Sequence, residues 1–112
     1  MTITYLFAGL AIRDRDASAA WYSRLFDTEP MLPNDDEAMW QLVGTGSLYV
    51  VVDHERAGAG TVTLIVDDLD ATLEELRARG FDLVEPIVIP GAGRKSLVSD
   101  PDGNQVWFVG LN

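Results

Sequence analysis

The hydrophobic and polar positions of this chain follow strand-like and helix-like periods in a fixed order. Residues 3–12 form a long apolar and β-branched run, which is typical of a largely buried strand. Asp14 or Asp16 then stands where helix N-caps are preferred, and apolar residues recur at helical spacing over residues 16–26. The expected stripe consists of Ala17, Ala20, Trp21, Arg24 and Leu25. The sequence therefore begins with a strand followed by a helix.

Three strands are predicted after this helix. A short one lies around residues 30–32, and two longer ones, residues 38–43 and 47–53, are joined by Gly44-Thr45-Gly46. A Gly-containing connection of this length between two apolar runs favours a hairpin. A stretch of small residues from Arg56 to Gly60 then forms the only plausible linker within the chain.

The same order begins again after this linker. Residues 61–66 are predicted as a strand, and Asp68 or Asp70 can cap a second helix that ends at Gly80. The apolar stripe of this helix consists of Leu69, Leu73 and Leu76. Three further strands are predicted near residues 81–88, 95–99 and 104–109.

An internal repeat accounts for this recurrence. At an offset of 54 residues, Leu10–Ser18 aligns with Leu64–Thr72 and shares its Leu, both Asp and Ala. We therefore predict an α+β fold in a single domain over residues 1–112, built from two tandem βαβββ modules at 1–55 and 60–112. Two such modules can form one curved half-barrel sheet, with the helices outside and a cavity on the concave face.

Composition narrows the classes of partner. The net charge of −10 argues against nucleic acid, because phosphate binding needs clustered Lys and Arg. An acidic surface can attract a cationic ligand, or it can serve only to keep the protein soluble. No apolar run approaches the length of a membrane span, the N-terminus lacks the basic region of a signal peptide, and there is no cysteine. We expect a cytoplasmic protein without a membrane or nucleic-acid partner.

The C-terminal segment Asp100-Pro-Asp-Gly-Asn104 is a tight-turn sequence that launches the last strand. Three segments of the chain together resemble the vicinal oxygen chelate superfamily. They are this turn, Asp14 with Trp21-Tyr22 and Leu25-Phe26, and Val66–Asp70 with Gly80. That superfamily holds glyoxalase I, extradiol dioxygenases, fosfomycin-resistance enzymes and bleomycin-binding proteins. The resemblance covers nearly the whole chain and implies a homodimer. Asp27 replaces the usual Gly after the first helix, which a left-handed Asp tolerates.

The resemblance also identifies the positions where a metal would be held. Enzymes of this superfamily bind a divalent ion through His, Glu or Gln at symmetric strand positions, which here carry Phe7, Thr61 and Trp107, with Tyr49 on the corresponding strand of the first module. Phe, Thr and Trp are not ligands for a catalytic divalent metal. His54, the only histidine, is either a weak ion site or an exposed loop residue. We expect neither a metal nor a cofactor.

Aromatic and hydroxyl side chains would then line the cavity. The candidate ligand-binding residues are Phe7, Trp40, Tyr49, Thr61, Arg94 and Trp107. The facing of Trp40 is not fixed by the pattern, and Arg94 lies on a basic spot with Lys95. The aromatic residues either stack on a planar or cationic ligand or fill a collapsed cavity as core.

Three functions remain open from the sequence. The first is a metal-independent binding protein of the bleomycin-resistance type, which sequesters an aromatic or cationic compound as an antibiotic-resistance protein does. The second is a lyase, isomerase or dioxygenase-like enzyme that uses Glu85, Tyr49 or Arg94. The third is a protein–protein interaction module with a vestigial cavity.

Overall fold

A computed structural model describes all residues from Met1 to Asn112. The first five elements are β1 (Leu6–Ile12), α1 (Arg15–Phe26), β2 (Met31–Asn34), β3 (Glu37–Val43) and β4 (Gly46–Val52). The next five are β5 (Thr61–Val66), α2 (Leu69–Ala78), β6 (Ile87–Ile89), β7 (Gly93–Ser99) and β8 (Gln105–Leu111). The chain divides into two compact units, residues 1–60 with 100–104 and residues 61–99 with 105–112.

Each unit contains one open four-stranded sheet and one helix. The strand order is β1-β4-β3-β2 in the first unit and β5-β8-β7-β6 in the second. In each sheet the first strand pairs in parallel with the last, and the other pairs are antiparallel. The predicted α+β fold of two βαβββ modules is confirmed. Neither helix has the length and apolar composition needed to span a lipid bilayer.

Both helices are N-capped by an aspartate, and in each case the first of the two predicted candidates is the cap. The Asp14 carboxylate accepts a hydrogen bond from the backbone N–H of Ala17, and Asp68 does the same for Ala71. These bonds satisfy backbone donors that have no partner inside the helix. The helix ends also match expectation, because Asp27 is left-handed at φ 52° and Gly80 has φ 92°.

The buried stripe of α1 differs from the predicted one. The side chains that face the core are Ser18, Tyr22 and Leu25, whereas Ala17 and Ala20 are exposed. Leu25 is common to the predicted and the observed stripe, but a small serine and a hydrogen-bonded tyrosine are buried in place of the two alanines. In α2 the predicted stripe of Leu69, Leu73 and Leu76 is buried as expected.

Two predicted strands are shorter than the sequence suggested. Residues 3–5 are not in a strand, because Leu6 already pairs with Gly46, where the partner strand β4 begins. Residues 81–86 also lie outside the sheet, and β6 contains only Ile87–Ile89. Pro86 cannot donate a ladder hydrogen bond, which explains why pairing starts after it.

The turn at residues 100–104 is part of the buried interior of the first unit. The Asp100 carboxylate accepts hydrogen bonds from the Tyr22 hydroxyl (2.8 Å) and from the backbone N–H of Asn104 (2.8 Å). The Asn104 side chain donates to Asp100 and to the carbonyl of Ala11, and its Oδ1 accepts from the N–H of Gly60. We call Tyr22, Asp100 and Asn104 the turn cluster.

The turn cluster satisfies its polar groups within the protein. Tyr22 and Asn104 are fully buried, and Asp100 is nearly so. Burial raises the pKa of the Tyr22 hydroxyl far above its usual value, and the Asp100 carboxylate beside it raises this pKa further. The hydroxyl is therefore held in its neutral, donating form.

Candidate functional site

Within each unit, one side of the sheet is covered by the unit's own helix and the other side, which we call helix-free, is not covered by that helix. Side chains alternate between the two sides along every strand. In β4, Leu48 and Val50 are buried on the side of α1, whereas Ser47 and Tyr49 point the other way. The helix-free sides carry most of the residues predicted to bind a ligand.

The helix-free side of the first sheet presents an aromatic surface. We call the group Tyr5, Phe7, Gly9, Ser47 and Tyr49 the first face. The Tyr5 and Phe7 rings lie 4.8 Å apart, and Phe7 meets Tyr49 edge-on with centroids 6.3 Å apart. The Tyr5 hydroxyl lies 2.6 Å from Ser47 Oγ, which fixes the edge of the cluster. Phe7 remains 51 % exposed, so its ring is available to a ligand.

Gly9 is the residue that allows Tyr49 to lie flat against this sheet. Gly9 and Tyr49 are direct partners across β1 and β4. A Cβ atom at position 9 would overlap the Tyr49 ring carbons and hydroxyl oxygen. The space that the missing side chain leaves is therefore filled by the Tyr49 ring, which becomes part of the floor of the first face.

Trp40 is placed on the opposite side of the same sheet. It is 1 % exposed, its ring packs beside Tyr22 and Phe26, and its Nε1 donates to the carbonyl of Thr28. These contacts make Trp40 a core residue of the first unit. We accordingly remove Trp40 from the set of ligand-binding candidates.

The helix-free side of the second sheet carries Trp107. We call the group Thr61, Thr63, Lys95, Leu97 and Trp107 the second face. Trp107 has Thr63 and Leu97 as its cross-strand neighbours, so the three side chains share one side. Thr61 and Thr63 are exposed, and Trp107 is half-buried. The Lys95 ammonium stands 4.5 Å from the centroid of the Trp107 ring.

Arg94 does not belong to this surface. Its cross-strand partner is Gly110, which faces the start of α2, and its guanidinium lies 3.1 Å from the Asp70 carboxylate of that helix. The hydrogen bond to Asp70 also raises the pKa of Arg94. Arg94 is therefore on the helix side of the sheet and not on the second face, and its role in ligand binding stays a prediction.

Lys95 is the residue that the sequence reasoning missed. The sequence places it in a basic spot with Arg94 but does not assign it to a side of the sheet. Its side of the sheet follows from the register of the fold, because the antiparallel pairing sets Leu97 opposite Trp107 and places Lys95 two positions further along β7 on the same side. The predicted strand starts at residue 95, so Lys95 stands at its very end, whereas in the structure β7 begins at Gly93 and Lys95 lies inside the strand.

The residues at the family's metal positions do not fit a divalent ion. Phe7 and Trp107 offer rings, and Thr61 and Tyr49 offer neutral hydroxyls, whereas such ions take imidazole, carboxylate or carbonyl ligands. No group of three or more His, Asp or Glu side chains is arranged to hold a metal elsewhere in the chain. His54 is exposed in the turn after β4.

The residues suggested for catalysis give no reactive arrangement. Glu85 is exposed on the irregular segment before β6, while Arg94 is held by Asp70. These two side chains of the second unit are thus not brought into one acid–base pair. Tyr49 lies within the aromatic cluster of the first face.

A separate hollow of about 530 Å³ lies in the first unit between α1 and the segment around β2. Its lining includes Ala19 and Ala20 and the charged residues Asp16, Arg24 and Glu29. None of the predicted ligand-binding residues lines it. Its charged lining suits an aromatic compound less well than the first face does, so the first face is the better candidate site.

Comparison with known proteins gives a family for this fold. The model of the Glyoxalase/Bleomycin resistance protein/Dioxygenase superfamily matches residues 4–108. A crystal structure of a glyoxalase/bleomycin resistance protein from Catenulispora acidiphila DSM 44928 is 39 % identical, with a TM-score of 0.89, and the match covers 98 % of this chain and 100 % of that chain. A search of curated proteins finds no significant match.

Two more distant structures share the fold. TnmS3, an antibiotic-binding protein from Streptomyces sp. CB03234, is 22 % identical with a TM-score of 0.82, over 100 % of this chain and 99 % of that chain. A bleomycin-binding protein in complex with bleomycin is 20 % identical with a TM-score of 0.79, over 99 % of this chain and 100 % of that chain. At these identities the likeness establishes the architecture.

Proposed function

We propose a binding function from one established premise: this chain belongs to the glyoxalase/bleomycin resistance protein/dioxygenase superfamily. The protein binds a small aromatic or cationic compound without a metal and sequesters it, as an antibiotic-resistance protein does. Stacking on fixed side chains supplies the affinity, and no bond of the ligand is broken.

The observation that carries this proposal is the first face. Its Phe7 ring contacts both the Tyr5 ring and the Tyr49 ring, and half of the Phe7 surface is open. An offset or edge-on aromatic pair contributes about 0.5–1.5 kcal/mol beyond area burial, and a cation over a ring contributes about 0.5–2 kcal/mol. Several such contacts give micromolar binding only when the rings are held in place. The Tyr5–Ser47 hydrogen bond and the packing of Tyr49 on Gly9 hold them.

The charge of the first face fits a neutral or cationic ligand. The strand positions on this side of the sheet carry Glu37 and no Lys or Arg, since Glu37 is the cross-strand partner of Val51. The chain as a whole has a net charge of −10. The acidic field raises the local concentration of cations near the surface.

Two further observations support the proposal. Two of the solved structures with this fold are, by name, an antibiotic-binding protein and a bleomycin-binding protein, and both names describe the binding of a small molecule. The rings and hydroxyls at Phe7, Tyr49, Thr61 and Trp107 are poor metal ligands and good stacking or hydrogen-bonding groups. Both favour recognition of a compound over metal-assisted chemistry.

Binding of a planar amine tests the assignment. Protein dialysed against EDTA is titrated with 2-naphthylmethylammonium and with metal-free bleomycin, by calorimetry and by NMR of the aromatic side chains. We expect Phe7→Ala to weaken the binding of at least one of these compounds by tenfold or more, about 1.4 kcal/mol. Leu6→Ala is the matched control, because Leu6 precedes Phe7 on β1, is 71 % exposed and points to the other side of the strand.

Equal affinities of Phe7→Ala and Leu6→Ala for every compound bound would show that the first face is not the site. Turnover of a bound compound by the metal-free protein would contradict sequestration and show that the protein is an enzyme.

We also propose that the protein is a cytoplasmic homodimer. Many large apolar side chains are exposed, including Met31 and Leu32 on the edge strand β2 and Ile87 and Val88 on the edge strand β6. Monomers rarely leave so much apolar surface in water. Light scattering coupled to size-exclusion chromatography should give twice the chain mass at micromolar concentration, and a monomer mass would contradict the dimer.

A further inference from the structure

We infer that the second face binds the anionic group of a planar aromatic compound, with Lys95 as the anchor for the charge and with Trp107 and Leu97 as the apolar side chains beside which its ring packs. The inference rests on the proposed small-molecule function and adds a ligand class to it. It differs from the expectation of a cationic ligand, which the chemistry of the first face suits.

Lys95 is chemically isolated on this surface. It is the only lysine of the chain. The strand positions on the helix-free side of the second sheet carry no other charged residue. Its ammonium makes no ion pair, and its contact is with the Trp107 ring. In a chain with 18 acidic residues, a lysine without an acidic partner beside an aromatic ring leaves room for an anion supplied from outside.

The neighbouring arginine shows the contrast. Arg94 is one residue away and points to the other side of β7, where Asp70 neutralises it. One basic residue of the pair is therefore paired by the fold and the other is presented unpaired. Because neighbouring side chains of a strand point to opposite sides, Arg94 contacts the helix of its own unit, whereas Lys95 faces the side on which we propose that a ligand binds.

The geometry favours a flat anion over a flat cation. A lysine ammonium on a tryptophan ring occupies the electron-rich face that a cationic ligand would need, and two positive charges at such short range repel each other. A carboxylate or phenolate would instead form a charge-assisted hydrogen bond with the ammonium. The ring of the same compound can stack beside Trp107 and Leu97, and the exposed Thr61 and Thr63 hydroxyls can donate to its remaining oxygen.

Three probes with the same ring separate charge from shape: 2-naphthoate, neutral 2-naphthamide and 2-naphthylmethylammonium. Because Lys95 is the only lysine, its ε-methylene signal in selectively labelled protein reports on this site alone. The Trp107 indole N–H is identified by comparison with Trp107→Phe. We expect 2-naphthoate to shift both signals and to bind about ten- to a hundredfold more tightly than 2-naphthamide, the gain typical of a hydrogen bond to a charged group.

Lys95→Met removes the ammonium and keeps the length of the side chain. It should reduce the affinity for 2-naphthoate to that for 2-naphthamide and leave the amide unchanged. Arg94→Met removes the same charge from the next residue, on the other side of the strand, and should leave both affinities within a factor of two. Thermal unfolding of each variant confirms that the fold is retained.

Equal binding of 2-naphthoate and 2-naphthamide at Trp107, or an equal loss of naphthoate binding in both variants, would overturn the role of Lys95 and leave the proposed binding function standing. If none of the three probes shifted a signal of either face up to millimolar concentration, both the inference and the proposed function would be wrong. A shift confined to the first face would overturn the inference alone.

Discussion

The two units repeat one topology but stabilise it with different chemistry at equivalent positions. Tyr22 of α1 aligns with Leu76 of α2 at the repeat offset of 54 residues, and both are buried. Leu76 belongs to an apolar stripe, whereas Tyr22 donates to Asp100 in the turn cluster. The first unit therefore has a polar element in its interior, and α2 has none at the matching position.

This difference shows what the Asp-Pro-Asp-Gly-Asn turn does in this protein. A tight turn needs only Pro101 and Gly103 to bend the chain. Asp100 and Asn104 do more, because they hydrogen-bond α1, β1 and the segment at Gly60 from a place far along the sequence. The first unit is thus complete only when this late turn is in place.

The largest expected effect tests whether the turn cluster stabilises the first unit. Asp100→Ala removes the acceptor for Tyr22 and for the backbone N–H groups of Asp102 and Asn104. Buried donors without acceptors are costly, so we expect the free energy of unfolding to fall by about 3–4 kcal/mol in urea denaturation. Asp102→Ala is the matched control in the same turn. It breaks only a partly exposed pair with Arg13, and should cost about 1 kcal/mol or less. Similar losses for both variants would contradict a special role for Asp100.

The second prediction uses the tyrosine that distinguishes α1 from α2. Tyr22→Phe should lower the free energy of unfolding at pH 7 by about 1–2 kcal/mol, because Asp100 loses one donor to a charged acceptor and keeps the others. A change below a few tenths of a kcal/mol would show that the hydroxyl is not needed, and that the two helices are energetically equivalent here.

The pH dependence of stability should reveal the same tyrosine. Its pKa is raised in the folded state, so the folded protein holds the phenolic proton more tightly than the unfolded chain. The contribution is fully present below the unfolded pKa of about 10 and is lost as the pH rises above it, by about 1.4 kcal/mol per pH unit. Urea denaturation between pH 8 and 11 should show this decline, and Tyr22→Phe should make it shallower. An unchanged slope in the variant would exclude Tyr22 as its source.

A smaller effect on stability is expected at Gly9, with a larger one on binding. A methyl group there must displace the Tyr49 ring, which is the flexible end of a side chain, so the cost in stability should be about 1 kcal/mol or less. The displaced ring should no longer form the floor of the first face. Gly9→Ala should therefore weaken the binding of a first-face ligand severalfold, while NMR shows a changed Tyr49 environment. Unchanged binding would separate Tyr49 from the site.

The smallest effect is expected at Ser96 in the second unit. Its hydroxyl is buried and has no hydrogen-bond partner. Ser96→Ala removes an unsatisfied polar group, so stability should stay the same or rise by up to about 1 kcal/mol. A loss larger than this, measured by thermal unfolding, would indicate a hydrogen bond that the second unit needs.

The sequence predicted those features that depend on local chemistry. One of two candidate aspartates caps each helix, Asp27 and Gly80 adopt positive φ, and the repeat predicts the same strand order in both units. Each follows from a few adjacent residues or from a pattern that recurs. The family resemblance was carried by the same local segments.

Features that depend on strand register were beyond the sequence. The pattern of β3 does not fix the facing of Trp40, and the structure places its ring beside Tyr22 in the core. Leu97 and Val98 are both apolar, so the pattern of β7 did not separate Arg94 from Lys95. The hydrogen bond between Tyr22 and Asp100 joins residues 78 positions apart, and no local pattern encodes it.

Metal dependence of ligand binding tests the central claim most directly. EDTA-treated protein, with its metal content verified by mass spectrometry, is titrated with the naphthalene probes while the aromatic signals of Phe7 and Tyr49 and the Trp107 indole N–H are followed by NMR. The account predicts saturable shifts of at least one face in the metal-free protein, with affinities unchanged when zinc, nickel or iron is added. Binding that appears only after one of these metals is restored would contradict it.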